Sequence, residues 1–203
     1  MGAVVLGVLL LIVSFMLKSL NAQTDKSVNL KPMAWTVRVV SLVFIVGGLL
    51  ASSIVIISAG HRGVKLQFGA VAGVMSEGIH LIVPYVNTVQ KMEVRTQKEE
   101  SAVSAASKDL QNVSATIALN FHVSPDQAGE LYKSVGLDYK HRIIDPAVQE
   151  SVKTVTAQYT AEELIKNRAI VKAAVEDEIT KRLRAYDLVV EPMGVSITNF
   201  EFS

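Results

Sequence analysis

Three adjacent residues, Ser107, Lys108 and Asp109, carry side chains that occur together in hydrolytic enzymes. Serine–lysine catalysis requires a neutral lysine amine within hydrogen-bond reach of the hydroxyl. Side chains of adjacent residues diverge to opposite faces of a strand, and a lysine in a wet turn stays charged. The apolar alternation on both sides favours a hairpin tip, in which Asp109 accepts backbone N–H groups and Lys108 keeps the turn soluble.

The other titratable residues predict no catalytic, cofactor or metal site. No two of the four histidines (His61, His80, His122 and His141) have the i,i+4 spacing of a helical metal site, and no phosphate-loop or nucleophile-elbow motif is present. Adjacent carboxylates such as Glu99–Glu100 do not converge on one substrate in a strand or helix. The sequence has no cysteine, which excludes thiolate chemistry and disulfides. An enzyme would need a buried constellation that only folding could assemble.

The composition indicates a membrane protein. The 203 residues carry a net charge of +1, which argues against nucleic-acid binding, and the mean hydropathy is +0.35. The apolar excess lies before residue 59, where Val39–Ile57 is free of charges and reaches about 28 Å as a helix. We predict a transmembrane helix over 36–58. Its predicted anchor residues are Trp35, Val39, Leu42, Phe44, Ile45, Leu49, Leu50, Ile54 and Ile57.

Residues 1–35 form an N-terminal hydrophobic segment and a basic linker. Ala3–Leu17 reaches only about 22 Å as a helix, which suits a short second span, a re-entrant arm or an interfacial segment. The linker region is basic, which predicts that it is cytoplasmic and that the following domain is on the non-cytoplasmic side. His61, Arg62 and Lys65 place further positive charge beyond the main span. The linker charges are Lys18, Lys26, Lys31 and Arg38 against Asp25.

Residues 59–203 predict a small α+β domain, with antiparallel strands followed by helices and a closing strand. In "GVKLQFG", Val64, Leu66 and Phe68 share one face. "HLIVPYV" predicts an edge strand, or two short strands meeting at Pro84. "SATIALNFHV" is the clearest strand. Its predicted inner face is Ala115, Ile117, Leu119, Phe121 and Val123.

Three helices and a last strand should follow. Ser124 is the predicted N-cap of a helix that ends near Gly136, and Pro146 should kink or restart a second one, with Asp145 as its cap. The third opens on a capping box from Thr160 to Glu163. The predicted buried positions are Val148, Val152, Val155 and Tyr159, then Leu164, Val171, Val175, Ile179 and Leu183. Val195 and Ile197 begin the predicted closing strand.

The third helix also carries acid-before-base pairs at i,i+4 spacing. We expect these pairs either to lie on a solvent-exposed helix face or to align neighbouring subunits through complementary charges. The candidate subunit-interface pairs are Glu162 with Lys166, Asp177 with Lys181, and Glu178 with Arg182.

Several stretches resemble one family. "ISAGHRGVKLQFGAV" and "GVMSEGIHLIVPYVNTVQKMEVRTQ" resemble the start of the SPFH domain of stomatins, prohibitins and flotillins. "SKDLQNVSATIALNFHV", "VGLDYKHRIIDPAVQESVKTVTAQYTAEELIKNR" and "GVSITNFEFS" resemble the prohibitin branch, with a stomatin-like protein as the alternative.

The resemblance implies a non-enzymatic scaffold without cofactors. Such proteins assemble into rings or cages on a membrane, enclose a microdomain and regulate a membrane-anchored AAA metalloprotease of the FtsH type. The alternative is an adaptor that binds a protease or channel without a closed cage, and a stomatin-like hairpin anchor would put the domain on the cytoplasmic side. Two hydrophobic segments favour a bacterial or cyanobacterial homologue in an inner, plasma or thylakoid membrane. Members of the family continue past the last strand into a long helical, coiled-coil region, and we expect this region to be absent from the present sequence, which stops at Ser203.

The stretch "GVMSEGIHLIVPYV" is apolar although it is rich in turn residues. We expect its side chains either to seat the domain on the lipid surface or to fill the domain core. The candidate membrane-surface residues are Val74, Met75, Ile79, Leu81, Ile82 and Val83.

Overall fold

Two long apolar helices open the chain in the computed structural model, which describes residues 2–23 and 31–202. Helix α1 covers Gly2–Gln23 and α2 covers Lys31–Ser53. The predicted span to residue 58 is too long, because Ile54–Ile57 forms strand β1. Three of its four residues are isoleucine, and β-branched side chains favour strands. The predicted anchor residues Ile54 and Ile57 therefore lie in a strand, and Ile57 is buried.

Four short strands follow as β2 (His61–Gln67), β3 (Ala70–Met75), β4 (Gly78–Leu81) and β5 (Asn87–Glu93). β4 pairs with β1 in a two-stranded sheet, and β2 lies between β3 and β5 in a three-stranded sheet. β4 stops before Pro84, as an edge strand should. The prediction that Phe68 shares a strand face with Val64 and Leu66 is wrong, because β2 ends at Gln67 and Phe68 has a φ of 49° in the turn that follows, with its side chain exposed.

The largest sheet has the order β6–β7–β8, with antiparallel pairing throughout. β6 covers Gln97–Ala106, β7 covers Asn112–Val123 and β8 covers Leu188–Phe202. All five predicted inner positions of β7 are buried. β8 starts at Leu188, well before the predicted start at Val195, since its first residues pair with Phe121, His122 and Val123.

The first domain helix, α3, covers Ala128–Ser134 and begins later than predicted. Ser124 does not cap it: the Ser124 carbonyl accepts a bond from Gln127 N–H at 3.1 Å, which closes a separate turn. The predicted end is confirmed, because Gly136 has a φ of 91° and donates its N–H to the Leu131 carbonyl at 3.3 Å. A left-handed glycine just after the last turn is a common helix stop.

The next helix starts as a π-helix over Lys140–Ile144 and continues as α4 over Asp145–Thr156. Pro146 has no N–H to donate to a preceding carbonyl, and the wider π turn lies directly before it. Asp145 is helical and is not the cap that the sequence suggested. The third predicted helix is two helices, α5 (Ala161–Lys166) and α6 (Arg168–Arg184), separated at Asn167. The capping box between Thr160 and Glu163 is confirmed.

The core lies between the inner face of the β6–β7–β8 sheet and helices α3 to α6. The predicted helix positions are buried in it, with Tyr159 partly buried at its margin. Gly129 on α3 allows a close approach, since a Cβ there would lie 2.7 Å from the Val74 side chain of β3. The chain divides into two compact units, one up to Ile56 with Gly78–Thr88 and one of Ile57–Glu77 with the residues from Val89 onwards.

Candidate membrane interface

Helix α2 has an apolar surface that the protein leaves uncovered. The window Trp35–Ser52 is the one helix in the described chain that is long and apolar enough to cross a membrane. It reaches about 27 Å, close to the ~30 Å hydrocarbon core. Only 11% of the window is buried within the protein, so most of its apolar side chains face outwards. In a soluble protein a long apolar helix is normally buried, and this exposure suits lipid as the solvent.

Helix α1 packs antiparallel to α2 and is less able to span. Its apolar stretch, Val4–Met16, is shorter than a full span. Gly7 permits close packing, because a Cβ there would lie 2.6 Å from the Ile45 side chain and 3.1 Å from the Ser41 carbonyl. At the other end of the pair, Arg38 Nε donates to Ser14 Oγ at 3.0 Å. Small residues at a helix–helix contact are typical of membrane helices.

The β1–β4 sheet continues directly from α2 and exposes apolar side chains. β1 begins at the residue after Ser53, and Ile82 N–H donates to the Ser53 carbonyl at 2.8 Å, so this sheet lies at the end of the span. Exposure alternates along both strands, as the strand period requires. The exposed side chains are Ile54 and Ile56 on β1, Ile79 and Leu81 on β4, and Val83 and Tyr85 just beyond it.

The six candidate membrane-surface residues do not form one group. Ile79, Leu81 and Val83 are exposed in the first compact unit, while Ile82 is half-buried there. Val74 and Met75 belong to the second unit, and the Val74 side chain packs close to Gly129. Ile54 and Ile56 were not predicted as surface residues, because an apolar run beside a predicted span is assigned to that span. Tyr85 was not predicted either, although it belongs to the apolar stretch that contains Ile79 and Leu81.

Two of the three predicted charge pairs form within the chain. Lys166 bonds Glu162, and Arg182 Nε donates to Glu178 Oε1 at 2.8 Å. Asp177 and Lys181 are both exposed and form no ion pair with each other. Among the described residues no ion pair involves either of them, so both charges are open to a partner outside these residues.

The Ser107–Asp109 stretch is the tip of the β6–β7 hairpin, as predicted. Ser107 Oγ donates to Asp109 Oδ1 at 2.6 Å, and the same oxygen accepts the Ala161 N–H at 3.0 Å. The Ser107 bond and then the Ala161 bond hold the pKa of Asp109 below its usual range. Ser107 is buried rather than wet, since the tip docks against the start of α5, where Lys108 N–H also donates to the Tyr159 carbonyl. These contacts leave Lys108 exposed, and the Ser107 hydroxyl is hydrogen-bonded to Asp109.

Ser101, Asp145 and His141 meet where β6 touches the π-helix. Ser101 Oγ donates to Asp145 Oδ1 at 2.6 Å, and His141 Nδ1 lies 3.0 Å from Asp145 Oδ2. Burial raises the pKa of Asp145, but the bonds from Ser101 and His141 outweigh it and lower the pKa overall. The Asp145 hydrogen bond, followed by the Asp138 charge, raises the pKa of His141. In a catalytic triad the histidine lies between serine and aspartate. Here the aspartate is in the middle, so the group ties strand to helix.

A second polar cluster joins β7 to β8. Glu191 Oε1 lies 2.7 Å from His122 Nδ1 and accepts the Thr96 hydroxyl at 2.8 Å. The Thr96 bond and then the His122 bond lower the pKa of Glu191. This cluster accounts for His122 as a strand histidine with a hydrogen-bond partner. Across the described residues, no group of three or more His, Cys, Asp or Glu could hold a metal ion.

The comparison with known proteins identifies the class to which this fold belongs. Residues 55–203 match the SPFH domain / Band 7 family, and the chain belongs to that family. It is 32% identical to Prohibitin 1 of Drosophila melanogaster over 162 residues, which is 79% of this chain and 58% of the relative. It is 33% identical to Prohibitin 1 of Mus musculus over 160 residues, or 78% of this chain and 58% of the relative.

A yeast relative gives the same result. The chain is 33% identical to Prohibitin-1 of Schizosaccharomyces pombe over 156 residues, which is 76% of this chain and 55% of the relative. These similarities support the prohibitin branch of the family. The chain spans little more than half the length of these curated relatives.

Proposed function

We propose that this chain is a subunit of a non-enzymatic membrane scaffold, which assembles from many copies into a ring or cage and organises a membrane microdomain. The observation that carries the proposal is the exposed apolar sheet β1–β4 at the end of an uncovered apolar helix, in a chain of the SPFH family. Such a subunit needs a membrane anchor, a surface that fixes its height on the bilayer, and contacts with its neighbours.

In this proposal the sheet seats the subunit in the lipid interface. Burying a leucine or isoleucine side chain contributes about 1.5–3 kcal/mol, and several such side chains are exposed together here. Tyr85 suits the interface, where tyrosine is enriched in membrane proteins.

The sequence has no cysteine, so a single introduced cysteine can be labelled to test whether the β1–β4 sheet lies in the lipid interface. Leu81→Cys in the full chain is labelled with an environment-sensitive fluorophore after reconstitution into phosphatidylcholine vesicles. Leu110→Cys at the hairpin tip is the matched control, since both side chains are about equally exposed, at 78% and 86%. If the sheet lies in the lipid interface, the fluorophore at position 81 should show blue-shifted emission and should be quenched by shallow lipid quenchers. The fluorophore at position 110 should show neither effect. Equal, water-like emission at both positions would contradict it.

We place the subunit contacts on the charged faces of α5 and α6. Glu162, Lys166, Glu178 and Arg182 are paired within the chain, so they contribute mainly to the shape of the face. Asp177 and Lys181 have the free charges, and we propose that Asp177 of one copy pairs with Lys181 of the next. A head-to-tail contact of this kind closes into a ring when the rotation allows it.

A charge swap tests this contact. Asp177→Lys or Lys181→Asp alone should reduce particle mass in mild detergent, and the double variant should restore it, because the swapped charges pair again. Glu130→Lys is the control and should leave the mass unchanged, since Glu130 pairs with Lys133 on α3, outside the proposed contact. Unchanged mass in both single variants would remove these residues from the interface.

We also propose, from the family resemblance, that the assembly regulates a membrane-bound AAA protease of the FtsH type, with the domain on the non-cytoplasmic side of a bacterial inner, plasma or thylakoid membrane. Affinity purification of the tagged full chain should recover such a protease at fixed stoichiometry with a large particle. Recovery of a protease or channel with a monomer or small oligomer would favour the stomatin-like adaptor instead. Protease accessibility of the domain in sealed vesicles decides the orientation.

A further inference from the structure

One charged side chain lies inside the candidate span. Arg38 follows Trp35, the first residue of the span window, by three positions, so its Cα lies only about 5 Å further along the helix. A charge deep in the bilayer is expensive, but near an end of the helix an arginine can extend its head group to the lipid interface. The position of Arg38 is therefore that of a headgroup-level cation.

The neighbouring helix fixes the orientation of this guanidinium. Arg38 Nε donates to Ser14 Oγ at 3.0 Å, and Ser14 is fully buried between the helices. The Arg38 carbonyl accepts the Ser41 hydroxyl at 2.9 Å, which involves a second buried serine in the same contact. Ser14 engages Nε and the Arg38 side chain is exposed, so the two terminal amino groups are the donors that an outside ligand can bind.

No carboxylate of residues 2–23 or 31–202 pairs with Arg38. The charge therefore needs a counterion from outside these residues. A guanidinium edge matches phosphate geometry, because two parallel N–H donors can bond two phosphate oxygens. Trp35 is 67% exposed one turn away, where its ring can lie among the lipid headgroups.

We propose that Arg38, held by Ser14, binds the phosphate of an anionic phospholipid in the leaflet where α2 begins. The inference rests on the proposed membrane anchoring and adds to it a lipid preference. One basic residue near an anionic surface contributes about 1 kcal/mol, which corresponds to about a fivefold preference for an anionic lipid over a zwitterionic one.

Trp35 reports on this site directly, because it is the one tryptophan in the sequence. The full chain is reconstituted in phosphatidylcholine vesicles that contain either brominated phosphatidylglycerol or brominated phosphatidylcholine, and quenching of Trp35 gives the relative affinity of the two lipids. We expect about a fivefold preference for phosphatidylglycerol in the unaltered chain. Arg38→Gln should abolish the preference. Ser14→Ala should reduce it, because the charge remains but its orientation is no longer fixed.

Two control variants separate the site from general charge effects. Arg62→Gln removes a cation that follows the other end of α2 and should keep the preference. Asp25→Asn should also keep it, whereas a change on that substitution would make Asp25 the counterion and overturn the proposal. Added inorganic phosphate, compared with chloride at equal ionic strength, should not compete. Loss of the preference with phosphate would mean a site for free phosphate rather than for lipid.

The same measurement distinguishes failure of the inference from failure of the anchor. Quenching by both lipids with equal affinity, in the unaltered chain and in Arg38→Gln alike, would refute the lipid site and leave the anchor intact. Absence of quenching by either lipid would refute the anchor itself. An unchanged preference in Ser14→Ala would refute the role of Ser14.

Discussion

Replacing Ser101 by alanine should loosen the junction between β6 and α4. Ser101 is buried and donates to one oxygen of Asp145 at 2.6 Å. A hydrogen bond to a charged group contributes about 1.5–3 kcal/mol when it is buried. The Asp145 side chain is 27% exposed and keeps its bond from His141, so water can partly replace the lost donor. We therefore expect a loss of about 1–2 kcal/mol at neutral pH.

Amide hydrogen exchange of the full chain in mild detergent measures this loss where it occurs. It reports local opening of β6 and α4 separately from the helical hairpin. A loss of 1–2 kcal/mol corresponds to protection that is about 5–30-fold lower in these two elements. Ser104→Ala is the matched control, because Ser104 lies on the opposite, exposed face of the same strand. A double-mutant cycle with Asp145→Asn isolates the pair.

A change of less than ~0.5 kcal/mol in the opening free energy of β6 and α4 in Ser101→Ala, as is typical of surface substitutions, would refute this role of Ser101. An equal effect of Ser104→Ala would also refute it. Because the folded pKa of Asp145 is lowered, its contribution is present above the unfolded pKa and is lost as pH falls through the folded pKa. In Ser101→Ala the folded pKa of Asp145 should be less depressed, so this loss should be smaller and should be complete at a higher pH than in the unaltered chain.

Three further predictions use other parts of the fold. The folded pKa of His141 is raised, so its stabilising contribution is present below the unfolded pKa and is lost as pH rises through the folded pKa. Hydrogen-exchange protection of the π-helix should therefore fall above about pH 6.5 in the unaltered chain. It should not fall there in His141→Gln. The folded pKa of Asp109 is lowered, so this carboxylate should stabilise the hairpin tip at neutral pH and lose that effect in acid. Asp109→Asn should reduce the hydrogen-exchange protection of the tip at neutral pH and should remove the drop in protection below about pH 3.8. Lys108→Gln should leave both the neutral-pH protection and its drop in acid unchanged. Ile179→Ala should destabilise the domain by about 2–5 kcal/mol in denaturant unfolding, because Ile179 is fully buried. Ile170→Ala on the same helix should change the stability little, because Ile170 is 60% exposed. Similar effects of the two substitutions would contradict the assigned helix face.

Local periodicity was enough to predict the main elements of the domain. In β7 every second residue from Ala115 to Val123 is apolar, and all five of these positions are buried, because this strand face must meet the helices. The stripe from Leu164 to Leu183 was also correct, although the helix breaks at Asn167, which no stripe reveals. The errors fall at ends of elements, where a few hydrogen bonds decide between turn, strand and helix. Ser124 bonds through its carbonyl instead of its side chain, and Ile54–Ile57 leaves the helix for a strand.

The candidate site was predictable only in part. The apolar stretch around Ile79 and Leu81 was visible, but its division between two compact units was not, since it depends on the pairing of β4 with β1. The link from Arg38 to Ser14 joins residues 24 positions apart, and the link from Ser101 to Asp145 joins residues 44 apart. Such contacts depend on how helices and strands pack, and no spacing pattern in the sequence encodes them.

The most direct test of the scaffold is the mass and shape of the full-length protein, extracted in a mild detergent and imaged by electron microscopy. The scaffold predicts a closed ring or dome of many subunits. A monomer or small oligomer that keeps its domain fold would contradict the scaffold and make the adaptor the better description of this SPFH protein.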